Sequence, residues 1–268
     1  MAQQLSQSAL KKKILFISEK EISQEDVAAE ETFDDQKLIK TEIIYDDQNK
    51  LIKSDQLQAG QDCNATFDPV KRIACGFKHF LIHKFYKYPE IFRQLAEAQH
   101  PKFLVFACSD SRVSPSNILN FQPGEAFMAR NIANLIPSFD KFKYSGVGAI
   151  IEYAVTQLKV ENILVIGHSR CGGIKRLMSH PEDGSVPFDF IDNWVQIAQS
   201  AKDKVKAEHS HLPFEEQCEI CAEEAVDLSL KNLHTYPYVK RAVEEKKIAL
   251  RGGYYDFVVG TFKLWELA

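Results

Sequence analysis

An α/β fold, a central and mainly parallel β-sheet flanked by helices, is predicted by three features of this sequence. Short apolar segments recur at FLVFA (103–107), AFMAR (126–130) and ILVIG (163–167). Helical patterns lie between and beyond them, at 145–158, 172–179, 189–207 and 213–233. The strands are apolar along their length, as strands covered on both faces by crossover helices are.

The elements follow in order. Residues 18–36 (SEKEISQEDVAAEETFDDQ) are acidic and poor in large apolar groups, which reads as a solvated, mobile segment. Residues 37–66 stay polar, with Leu38, Ile39, Ile43, Ile44, Leu51 and Ile52 fitting either a short strand pair or a weak helix. Folded structure is expected from Phe67-Asp68-Pro69, where Asp68 can cap a helix that has Pro69 at its first position. Ile73, Phe77, Phe80, Leu81 and Phe85 then recur at a 3–4 spacing that gives this helix one apolar face. The chain thus divides into an N-terminal extension, 1–66, and a folded domain, 67–268. At the other end, IALRGGYYDFVVGTFKLW (248–265) reads as a strand, a Gly-Gly turn and a second strand.

Composition narrows the function. A net charge of -4 over 268 residues argues against a nucleic-acid partner. The sequence contains no apolar run approaching the roughly 18–20 residues of a membrane span. Six cysteines in a chain this long do not make a disulfide scaffold; a reducing compartment with some thiols on metal is expected. ILFI (14–17) is too short for a secretory segment, and the absence of arginine before Arg72 is unlike a transit peptide. The cytoplasm is therefore the expected location, with the plastid stroma as the alternative.

Chemistry concentrates where strands end. FLVFA runs into Cys108, and ILVIG runs into His168 and Cys171; in parallel sheets the carboxyl ends of strands form the site. Two thiolates and an imidazole suit tetrahedral zinc, and three protein ligands leave the fourth position open, as at a catalytic centre. Gly172-Gly173 lets backbone pass close by and starts a helix whose dipole favours thiolate at Cys171. Asp110 and Arg112, two residues apart in CSDSR, can pair bidentately. Cys218 and Cys221 form a C-x-x-C within helical sequence; without a second such pair they read as structural rather than as a redox centre. His209 and His211 read as solvated loop.

The motifs CSDSRV (108–113), FQPGEAFMARNIANL (121–135) and GHSRCGGIK (167–175) resemble those of the β-class carbonic anhydrases. NLHTYPYV (232–239) and ALRGGYYDFVVGTFKLWEL (249–267) are similar to the plant-type branch, and the likeness covers about residues 67–267. It implies a zinc lyase that hydrates carbon dioxide reversibly to bicarbonate and a proton by zinc-bound hydroxide. By the resemblance Cys108, His168 and Cys171 hold Zn2+, and Asp110 with Arg112 forms a catalytic dyad that orients the hydroxide. Gln99 would donate its amide to a substrate oxygen, Phe127, Ile132 and Tyr153 would form an apolar wall, and Gly172 would border the substrate. Gln99, Phe127 and Tyr153 would come from a neighbouring subunit, which implies a homo-oligomer built of dimers; plant-type members often assemble further, to octamers. The family fold adds a projecting N-terminal helix and a C-terminal strand extension. Two departures stand out: Arg170, where plant-type members often carry a small residue, and Gln157, where they often carry a histidine suited to proton relay. A thiol redox protein and a catalytically silent zinc scaffold are the competing readings, and the intact Asp110–Arg112 pair counts against the scaffold.

Overall fold

The computed structural model describes residues 43–45, 51–54, 68–181 and 188–266. The chain divides into two compact units, Met1–Ala96 and Glu97–Ala268. In the first, β1 (Ile43–Tyr45) pairs antiparallel with β2 (Leu51–Ser54), so the polar stretch forms a strand pair. Helix α1 (Pro69–Phe80) begins as its sequence predicts: Asp68 Oδ1 accepts the N–H groups of Val70 (2.9 Å) and Lys71 (3.2 Å). It runs on as a π-helical turn, Leu81–Phe85, before α2 (Pro89–Glu97), and Phe80, Phe85 and Phe92 cluster with ring centroids 5.2–6.4 Å apart. The expectation for residues 18–36 lies outside the described residues.

The second unit is built on a five-stranded sheet in the order β4-β3-β5-β6-β7. Its strands are β3 (Phe103–Cys108), β4 (Ala126–Asn131), β5 (Asn162–His168), β6 (Ala249–Asp256) and β7 (Thr261–Glu266). The first four are parallel and β7 returns antiparallel on β6. The helices are α3 (Pro115–Ile118), α4 (Ser145–Glu152, continued by a π turn to Gln157), α5 (Gly172–Met178), α6 (Ile191–Val195), α7 (Gln199–His209), α8 (Phe214–Leu233) and α9 (Pro237–Glu244). Alternate strand residues serve opposite faces. Leu104, Phe106, Ile163 and Val165 join Val226, Leu230 and Leu233 of α8 in one cluster, whereas Val105, Ala107, Leu164 and Ile166 form another. Fully burying one such side chain stabilises by about 1.5–3 kcal/mol, so both faces hold the central strands in place.

Two expectations need correction. Gly252 and Gly253 do not turn the chain; they lie inside β6. A Cβ on Gly252 would stand 2.3–2.6 Å from the Trp265 indole, and one on Gly253 would stand 2.7 Å from Phe262. The glycines make room for aromatic rings of β7. The turn falls at Phe257–Gly260, where Gly260 has φ +73° and its N–H donates to the Asp256 carbonyl at 2.8 Å. The single helix expected over 189–207 is broken into α6, a 3-10 turn (Gln196–Ala198) and α7. Among the described residues no helix is long and apolar enough to cross a membrane.

Helix α5 is tied to α6 by Asp192, which is buried and takes Arg176 Nε (2.6 Å) and Nη2 (2.8 Å) together with the Phe188 N–H (3.1 Å). The Arg176 hydrogen bonds, above all, hold the Asp192 carboxyl below its ordinary value. A carboxylate depressed on folding contributes stability above its unfolded pKa of about 3.9 and loses it as pH falls through the folded value. Asp192→Asn is therefore expected to unfold more easily than wild type at pH 7, with the gap narrowing as pH falls below about 3.9; denaturant melts over a pH series read this directly.

Candidate metal centre

β3 and β5 are adjacent and parallel, so their carboxyl ends bring Cys108 and His168 side by side. The backbone after His168 turns at Ser169-Arg170 and delivers Cys171 as the N-cap of α5. One ligand atom from each of Cys108, His168 and Cys171 lies within 4.8 Å of the other two, and all three residues are buried.

Their hydrogen bonding shows what this cluster is suited to hold. His168 Nδ1 lies 2.8 Å from the Ser169 carbonyl, which can only accept, so Nδ1 carries the proton. In a neutral ring Nε2 then presents a lone pair, and this buried atom has no hydrogen-bond partner. With two thiols close by, that lone pair is placed to bind a metal ion together with the sulfurs. The thiols point the same way: a hydrogen bond from Cys171, then His168 nearby, favours thiolate at Cys108, while that shared bond and burial push Cys171 up. The donor set of two sulfurs and one imidazole nitrogen fits zinc.

Asp110 stands outside that cluster, held by Arg112. Nε donates to Oδ1 (2.9 Å), Nη2 donates to Oδ2 (2.7 Å), and the Arg112 N–H adds a third bond to Oδ1 at 2.9 Å. These bonds lower the Asp110 carboxyl to about 2. The guanidinium is itself packed 4.3 Å from the Phe257 ring centroid, and that ring stacks on His168 at 5.9 Å.

A family model for carbonic anhydrase matches residues 103–262, and the "Beta carbonic anhydrase 3" of Arabidopsis thaliana is 57% identical over 202 residues, 75% of this chain and 78% of its own. The chain belongs to the β-carbonic anhydrases. Among solved structures, a chain of the tetrameric β-carbonic anhydrases of Sordaria macrospora superposes with a TM-score of 0.66 at 30% identity, covering 74% of this chain and 98% of that one. A Coccomyxa β-carbonic anhydrase in complex with acetazolamide does so with 0.64 at 26% identity, covering 74% and 86%. The family catalyses zinc-dependent hydration of carbon dioxide, and this β-carbonic anhydrase is a zinc lyase of that class.

Within this β-carbonic anhydrase the remaining predicted residues lie as follows. Gln99 is exposed between α2 and β3. Phe127, on edge strand β4, meets Tyr153 of α4 with ring centroids 5.8 Å apart, and Tyr153 is 47% exposed. Ile132 packs where Gly173 has no side chain, a Cβ there falling 2.7 Å from Ile132 Cγ2. Gly172 opens onto free space. Gln157 is exposed, its amide donating to Thr156 Oγ1 at 3.1 Å. Cys218 and Cys221 are free thiols pushed up to about 11 and about 12, chiefly by burial, so neither is a thiolate near neutrality.

Three residues escaped the sequence reading. Arg130 of β4 donates Nε (2.9 Å) and Nη2 (2.7 Å) to the Cys108 carbonyl, and Nη2 also reaches the Asp110 carbonyl at 2.5 Å. Phe257 covers His168 and Arg112, and Glu219 accepts the Arg170 N–H at 2.9 Å. Arg130 stands inside the quoted MARN stretch, but nothing in its spacing points at two carbonyls of another strand.

The neighbouring glycines separate crowding from freedom. Gly173→Ala is expected to lose about 1–3 kcal/mol in denaturant melts by pressing on Ile132 and Ala133, the range for overpacking a core. Gly172→Ala meets nothing within 4 Å and is expected to melt as wild type does.

Proposed function

We propose that Cys108, His168 and Cys171 hold the zinc of this enzyme, and that Asp110 with Arg112 controls what approaches it. The observation that carries the proposal is the buried His168 Nε2, its tautomer set by the Ser169 carbonyl, aimed among two thiols. Zinc bound there supplies the Lewis acidity that makes a water molecule nucleophilic near neutral pH, as is established for carbonic anhydrase zinc.

The chain's own groups supply position. Arg112 occupies both Asp110 oxygens, which keeps the carboxylate from acting as a fourth ligand and leaves it able to accept a hydrogen bond from the attacking water. Held near 2, Asp110 stays ionised throughout the neutral range, so it accepts and orients rather than titrates. Carbon dioxide has no net charge and no dipole, and an apolar wall with a single polar donor is an adequate receptor. Phe127, Ile132 and Tyr153 form that wall, Gln99 donates to the developing bicarbonate oxygen, and Gly172 leaves room beside the ligand turn.

Gln99, Phe127 and Tyr153 are assigned to the neighbouring subunit's site, so the active unit is a homodimer that assembles further, up to an octamer. Their position at the surface, on a loop, an edge strand and an exposed helix face, supports this. The tetrameric Sordaria relatives set a precedent for assembly. Sedimentation equilibrium measures the state. The catalytic module is assigned to 67–268, with 1–66 as an extension. The proposed compartment is the cytoplasm, on the acidic character of residues 18–36, with the plastid stroma decided by cell fractionation.

Proton export is the step this chain equips least. Gln157 does not titrate near neutrality, so the released proton passes to external buffer. Stopped-flow hydration near pH 8.5 is expected to be fast and to keep rising with buffer concentration. Gln157→His should raise turnover at low buffer and leave it unchanged at high buffer. Cys108→Ala should lose stoichiometric zinc and hydration together, by more than the roughly 10–100-fold that follows loss of a supporting contact. A fast enzyme that ignores buffer would overturn the proton route. Retention of zinc and activity in Cys108→Ala would overturn the ligand assignment.

A further inference from the structure

Helix α8 carries a carboxylate for which the reaction has no use so far. Glu219 extends from the helix to the turn that separates His168 from Cys171. Its Oε1 accepts the Arg170 N–H at 2.9 Å, and its Oε2 accepts the hydroxyl of Tyr254 on β6. Arg170 itself has φ 51°, the left-handed region, which is strained for a residue with a side chain. Such a conformation persists only where the surroundings over-determine it, and its N–H needs an acceptor outside the sheet ladder.

The placement is set further along the same helix. Gly167 precedes His168, and a Cβ there would fall 2.8 Å from Val226 Cγ2 and 3.3 Å from the Ala222 carbonyl. The bare glycine lets α8 lie directly on β5. Glu219, Ala222 and Val226 are spaced three and four apart, one face of the helix, so the contact that seats the helix also aims Glu219 at the turn. Tyr254 is buried, and burial with Glu219 beside it pushes its hydroxyl up, so it remains a donor to the carboxylate.

We infer that Glu219 is a positioning residue of the metal centre, locking the Ser169–Arg170 turn so that His168 and Cys171 present their lone pairs at a single separation. The inference rests on the assignment of Cys108, His168 and Cys171 as zinc ligands. Arg130 holds the carbonyls around the first ligand, and Glu219 holds the turn between the other two. Neither touches the metal. The expected consequence of losing Glu219 is a turn that samples other conformations and a zinc ion that escapes sooner.

The test is zinc release from the full-length holoenzyme to an excess of chromophoric chelator, with the visible spectrum of the cobalt-substituted protein as a second readout. Glu219→Ala is expected to release zinc roughly 10–100-fold faster, the range for loss of a group that orients a ligand, and to change the cobalt spectrum. Glu219→Gln keeps an oxygen for the Arg170 N–H and should stay near wild type. Tyr254→Phe frees one oxygen of Glu219 and should fall between the two. Asp227, two turns along α8, accepts Trp265 Nε1 at 2.7 Å; Asp227→Ala removes that bond, loosens the same helix against the sheet and should leave release unchanged.

Wild-type release from Glu219→Ala, or equal acceleration in Asp227→Ala, would overturn the role. If Glu219→Ala does not fold, wild-type release from Tyr254→Phe would overturn it equally. The two readings fail separately: zinc retained in Cys108→Ala removes the ligand assignment, whereas zinc lost there but held normally in Glu219→Ala removes only the role of Glu219.

Discussion

Two thiols and an imidazole buried side by side must have their lone pairs and protons accounted for. Water cannot do this where the three residues are each at most 5% exposed. The Ser169 carbonyl accepts the hydrogen bond of His168 Nδ1–H and by doing so leaves Nε2 as an acceptor among the thiols. A borderline-soft dication satisfies all three groups at once, since it displaces thiol protons and takes the nitrogen lone pair. The rest of the second unit reads as the means of keeping these atoms together.

The means are mostly backbone contacts. Neighbouring parallel strands bring Cys108 and His168 to one end of the sheet, and the turn after β5 brings Cys171. Arg130 grips the carbonyls of Cys108 and Asp110, Ser169 N–H binds the Tyr255 carbonyl at 3.1 Å, and Ser169 Oγ takes the Phe257 N–H at 3.1 Å. The turn after β6 therefore lies over the site, and Phe257 touches His168 and Arg112 together. Arg112 is thereby fixed from two sides, by Asp110 and by an aromatic face. This matters because an exposed ion pair alone contributes little; here half the Arg112 side chain stays exposed, yet its orientation is set.

The strands and the gathering of Cys108, His168 and Cys171 were legible because their signals are local: apolar runs that end abruptly in Cys108 and His168. The capped start of α1 was legible for the same reason. What escaped depends on groups distant in the chain. Gly252-Gly253 looks like a turn until Trp265 and Phe262 are seen to need the space. The apolar pattern of 189–207 is helical throughout, yet tertiary packing breaks it between Val195 and Gln199. Arg130 and Glu219 act on the backbone of segments 20–50 residues away, a relation that composition and spacing do not carry. Arg170 stood out only as a departure in residue type; that its backbone is left-handed, a conformation strained for a residue with a side chain, is visible only in the structure.

The central claim is the identity of the atoms around the metal, and zinc K-edge X-ray absorption on the zinc-loaded protein tests it most directly. The account predicts two sulfurs at about 2.3 Å, one imidazole nitrogen at about 2.0–2.1 Å and one further light atom, in four-coordinate geometry. A shell with one sulfur or none, or with two imidazoles, would contradict it.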